Sequence, residues 1–107
     1  MANTFKVVTF AAEPASAGTA YKMYTVAGST TTVVLGLIVT NIHTTAVTVE
    51  VELHSDTASR GGANDVTNGI SYLVKDVSIP AGSSLELLSG GKVVLETTDE
   101  IKIDCSV

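Results

Sequence analysis

The segment AVTVEVELH, residues 46–54, constrains this chain more than any other. Val47, Val49, Val51 and Leu53 alternate without a break with Thr48, Glu50, Glu52 and His54. A period of two places the aliphatic groups on one side of an extended strand and the polar groups on the other. Wound as a helix, the same residues would scatter charge and aliphatic groups around the whole circumference. The segment therefore predicts a strand with one face on a core and the other toward water.

Comparable segments punctuate the rest of the chain: TFKVVTF at 4–10, AYKMYTV at 20–26, TVVLGLIVT at 32–40, ISYLVKDVSI at 70–79, SLELL at 84–88, KVVLE at 92–96 and IKIDCSV at 101–107. Turn signals separate them, notably Pro14 and Gly18, Ala27-Gly28-Ser29, Pro80-Ala81-Gly82 and Thr97-Thr98-Asp99-Glu100. Of the 107 residues, 15 are Val and 15 are Thr, β-branched types that fit a pleated sheet better than a helix. The result is an all-β expectation of about eight strands and no helix. Most gaps are shorter than the dozen or more residues that a parallel crossover needs, so the strands should be antiparallel. We expect one domain spanning 1–107, an antiparallel β-sandwich of jelly-roll or immunoglobulin-like type, with a small flattened barrel as the alternative. SLELL and KVVLE, joined through Ser89-Gly90-Gly91, read as a local hairpin. Ile101, Ile103, Cys105 and Val107 share a face of a final strand that reaches the last residue. The polar, glycine-rich stretch 55–69, which holds Arg60, reads as a mobile loop.

Residues 32–40 differ from 46–54 in being apolar on both faces. Val33, Leu35, Leu37 and Val39 alternate with Val34, Gly36, Ile38 and Thr40. Such a strand must be covered on both sides. If the first set fills the core, Val34 and Ile38 form a candidate interface with another subunit.

The chemistry of the remaining side chains points away from catalysis. A net charge of −5 and a pI near 4.7 oppose attraction to nucleic acid or to an anionic membrane. No stretch is long and apolar enough to cross a bilayer as a helix. The first residues carry no signal peptide of the usual kind, so synthesis in the cytoplasm is expected. Cys105, the single cysteine, reads as a small hydrophobe in the last strand. His43 and His54 lack zinc-ligand spacing, and Asp56, Asn64 and Asp65 lack the order of a calcium loop. No G-x-S-x-G elbow or phosphate-binding glycine loop is present. Glu50 and Glu52 belong to the wet face of a strand, and Asp99 and Glu100 to a solvated turn. Neither pair reads as glycosidase carboxylates. Tyr21, Tyr24 and Tyr72 are the residues from which a sugar-stacking platform could be built, and the chain has no Trp. The expectation is a non-enzymatic protein with no catalytic residue, no cofactor and no metal.

YTVAGSTTTVVLGLIVTN, residues 24–41, and VSIPAGSSLELLSGGKVVLETTDEIKI, residues 77–103, resemble segments of small virion proteins of tailed bacteriophages. In that group a Y-T-V-P-A-G-like turn feeds an apolar strand, and I-P-A-G-S-x-L is followed by G-G-K-x-V-L and a D-x-I strand. The first turn here departs from the pattern, having no Pro between Val26 and Ala27. The resemblance implies a structural component of the virion, a head decoration or cement protein, made in the host cytoplasm. It further implies a homo-oligomer, trimer or dimer, bound to other virion proteins and above all to the major capsid protein. Fibre, neck and tail positions are the alternatives implied, and a module binding host-surface carbohydrate through its tyrosines is the competing expectation.

Overall fold

The computed structural model describes residues 5–9, 16–55, 69–88 and 91–107. Among them the chain is all-β, with no helix and every strand pairing antiparallel. The strands are β1 (Tyr21–Thr25), β2 (Thr32–Val34), β3 (Ile38–Thr40), β4 (Val47–Ser55), β5 (Gly69–Ile79), β6 (Ser84–Glu86), β7 (Val93–Leu95) and β8 (Glu100–Cys105). The expected strand at 4–10 is absent from this set, since residues 5–9 join no strand. The expected single strand at 32–40 is instead two strands. Stretch 55–69 falls outside the described residues except for its ends, Ser55 and Gly69, and the calcium-type oxygens of Asp56, Asn64 and Asp65 fall outside with it.

β1, β8, β4 and β5 form a four-stranded sheet in that order. The alternation at 46–54 is realised as a one-sided strand: Val47, Val49 and Val51 are buried, while Glu50, Glu52 and His54 lie on the other face. β8 is interior to the sheet, with Ile103 facing Val51 of β4 on one side and Tyr21 of β1 on the other. Ile101 and Ile103 are buried as the alternation predicts, but the strand ends at Cys105 and leaves Val107 exposed. β5 follows β4 with two register shifts, opposite Val49–Val51 and Val51–Glu52. Asp76, at φ 52°, lies within the first of them. Such bulges bend the strand and roughen its free edge against further pairing.

The remaining strands form two short ribbons, β2 with β7 and β3 with β6. The expected hairpin between SLELL and KVVLE does not form: Leu85 of β6 faces Val39 and Val94 of β7 faces Val33. β6 and β7 therefore run in succession along the line of β2 and β3. The reason is core burial: this pairing turns Leu85, Leu87, Val93 and Leu95 toward the aliphatic face of the four-stranded sheet, which a local hairpin would not require. Gly91 is not in a left-handed conformation, so it supplies no hairpin geometry.

One core joins all three sheets, built on Val26, Val49, Val51, Ile79, Leu95, Ile101 and Ile103. Two turns hold its ends. Ser83 N donates to Pro80 O at 3.0 Å with Gly82 at φ 75°, the left-handed third position of a type II turn. In the other turn Asp99 N donates to Glu96 O at 3.0 Å, and Thr98 takes the left-handed position at φ 72°. Asp99, expected in solvent, is buried at 3% exposure, where its Oδ2 accepts from Glu96 N at 2.9 Å and from Ser55 Oγ at 3.4 Å. A carboxylate can remain buried there because backbone and hydroxyl donors converge on it.

Candidate interaction surface

Each strand of a ribbon turns alternate side chains inward, and the break between β2 and β3 decides which ones. Val34 points to the core, where it packs half-buried, and so do Leu37 and Val39. Inward positions 34 and 37 are three apart, so the period of two slips by one residue across Leu35-Gly36 and exchanges the faces on either side of it. Val33 and Leu35, expected in the core, are 47% and 59% exposed, while Val34, expected on the outer face, covers the core from within the same chain. Ile38 keeps its expected outward place at 65% exposure. The core-distal face of the ribbons thus presents Val33, its cross-strand partner Val94, Leu35 and Ile38.

Neighbouring residues on opposite faces make a direct comparison. Leu37→Glu is expected to destabilise the fold by about 3 kcal/mol or more, because it places a charge against the core. Ile38→Glu is expected to change folding stability by no more than about 0.5 kcal/mol and to weaken any self-association through this face. Urea denaturation together with light scattering separates the two effects.

The outer face of the four-stranded sheet is polar and internally paired. Lys75 Nζ contacts Glu50 Oε2 at 2.9 Å and stands 4.7 Å from the centre of the Tyr72 ring. The bond to Glu50, reinforced by Asp76, holds the Lys75 ammonium above its ordinary pKa. Lys22 Nζ lies 2.7 Å from Glu100 Oε2, and this contact, with Lys102 nearby, holds the Glu100 carboxyl below its ordinary value. A carboxyl lowered by folding contributes stability above its unfolded pKa and loses that contribution as pH falls through the folded value. Lys22→Met should therefore raise the Glu100 titration midpoint toward the ordinary carboxylate value and flatten the acid limb of the stability curve. Carboxyl-carbon NMR titration reads the first effect, and an unchanged midpoint would dismiss the pair.

The residues weighed for other chemistry do not converge. His43 precedes β4 and bonds Thr45 Oγ1 through Nδ1 at 3.1 Å, whereas His54, near the far end of β4, lies 3.2 Å from Glu52 Oε1. No group of three or more His, Cys, Asp or Glu side chains disposed to hold a metal occurs among the described residues. Tyr21 and Tyr24 pack against the core and Tyr72 is exposed on the opposite sheet face, so the three rings make no common platform. Cys105 packs partly buried against the core. A shallow depression is lined by Ser29, Thr30, Thr31, Glu96 and Thr97, and among the described residues no aromatic or basic side chain borders it.

Asn41, read from sequence only as part of a connection, proves to be a buried organiser at 6% exposure. Its Nδ2 donates to Thr45 O at 2.9 Å and Ile79 O at 2.8 Å, and its Oδ1 accepts from His43 N at 2.8 Å. Its backbone N donates to Ser83 O at 2.8 Å, and its backbone O accepts from Gly82 N at 2.9 Å. The 41–45 loop is thereby fastened to the Pro80–Ser83 turn. The available signal was an Asn directly after an apolar strand, a type that favours side-chain-to-backbone bonds in turns. Its partner turn lies about forty residues away, beyond the reach of local pattern.

Compared with protein-family models, with curated proteins and with solved structures, the chain finds no match.

Proposed function

We propose that this protein is a non-enzymatic structural component of a tailed-bacteriophage virion, a decoration or cement protein that self-associates and binds the capsid lattice. In this reading the four-stranded sheet and the two ribbons are the layers of a small antiparallel β-sandwich, made in the host cytoplasm and incorporated into the particle. The observation that carries the assembly part is the aliphatic core-distal face of the ribbons, with Val33 and Val94 directly opposite one another and Leu35 and Ile38 beyond them. Several exposed aliphatic side chains on one face are the usual mark of a protein partner. The virion part is supported by the resemblance of residues 24–41 and 77–103.

Immunogold electron microscopy of particles from the phage that encodes the chain tests the proposal. A regular array of label over the head is the expected result. Label confined to the tail or fibres would replace the head assignment with the tail-associated alternative, and unlabelled particles would overturn the virion assignment altogether.

A further inference from the structure

Residues 5–9, FKVVT, have the composition of a strand and the exposure of none. Phe5 is 84% exposed, Val7 86% and Val8 54%. Among the described residues the segment joins no strand and makes no hydrogen bond. The same chain therefore holds two uncovered aliphatic surfaces, this arm and the core-distal face of the ribbons at Val33, Leu35 and Val94. We propose that residues 5–9 of one copy lie across the β2–β7 face of a second copy, and that the exchange is reciprocal about a two-fold axis. The inference rests on the self-association in the reading above and specifies the segment that performs it.

Area decides the symmetry. Covering an aliphatic or phenyl side chain removes on the order of 60–120 Å² of apolar surface, so one extended arm with Phe5 and Val7 turned to Val33, Leu35 and Val94 buries roughly 300–600 Å² through these five side chains. Contacts of that size are typical of incidental packing, which lies mostly below about 800 Å². A reciprocal exchange doubles the figure to about 600–1,200 Å², bracketing the roughly 1,000 Å² that a specific interface must clear. A head-to-tail ring uses only one such contact at each junction, so the two-fold dimer is favoured over a trimer.

Sedimentation velocity of the full chain over a concentration series tests the exchange, beside F5S/V7S and V33T/V94T double variants whose folding is checked by circular dichroism. The expected result is a dimer whose dissociation constant rises about tenfold or more in either double variant. Combining the two sets should add little, because both remove the same contact. In a C105S background, V7C with V94C should oxidise to a covalent dimer that links two differently tagged copies. A wild-type chain that stays monomeric throughout, a dimer indifferent to both double variants, or a disulfide that closes within one chain would each overturn the exchange. Labelling of phage heads is read separately. Head labelling by a monomeric protein would sink the exchange and spare the virion assignment, and a dimer without head labelling would do the reverse.

Discussion

Removal of residues 101–107 is expected to abolish cooperative folding. The deletion takes away nearly all of β8, the strand between β1 and β4, and leaves β1 with no partner in its sheet. It removes Ile101 and Ile103, each 4% exposed, from the core, along with the partly buried Cys105. Losing buried aliphatics commonly costs about 2–5 kcal/mol apiece, against about 5–15 kcal/mol for a whole domain. The orphaned ladder bonds of Tyr21–Thr25 and of Val49–His54 add to that loss. Ile103→Val is the graded control, with an expected cost of about 0.5–1.5 kcal/mol in an otherwise unchanged transition. Thermal unfolding followed by circular dichroism distinguishes the two, and a truncated chain that melted like the intact one would make β8 peripheral.

Asn41→Asp is expected to cost about 3–5 kcal/mol near neutral pH despite the near-identical shape of the two side chains. The amide donates to two carbonyl oxygens, Thr45 O and Ile79 O, and an ionised carboxylate would turn an acceptor toward both of them in a buried site. Burial beside carbonyls raises the folded pKa of the introduced acid above its unfolded value of about 3.9. The sign of the pH effect follows. The variant is least impaired below that unfolded value, where the neutral acid can still donate one bond, and its deficit grows as pH rises toward the folded pKa. Asn41→Ala removes the same bonds without introducing charge and is expected to cost about 2–3 kcal/mol with little pH dependence. Denaturation at several pH values checks all three statements, and parallel pH profiles for the two variants would contradict the geometry at Ile79 and Thr45.

The strand class, the antiparallel arrangement and the inward face of β4 were determined by the sequence alone, because they follow from local terms. A period of two at 46–54 has one low-energy solution, and Val and Thr favour extended backbone wherever they fall. The Pro80–Ser83 turn is equally local, since Gly82 accepts the left-handed position without cost. The tertiary structure decided which strands pair and which way the ambiguous ones face. Residues 32–40 are apolar on both sides, so their alternation contains no information about phase. A slip at Leu35-Gly36 sent Val34 inward and Leu35 outward, and only the fit of Leu37 and Val39 to the core could choose it. SLELL and KVVLE look like a hairpin to any local rule, yet their partners are Val39 and Val33, about forty-five to sixty residues upstream, because that arrangement buries Leu85 and Leu95. Asp99 and Asn41 are polar residues in turns by sequence, and burial became tolerable only where distant donors and acceptors came to meet them. Local pattern specifies conformation along the chain. Pairing, phase and polar burial depend on contacts between residues far apart in it, and their free energy exists only once the core has closed.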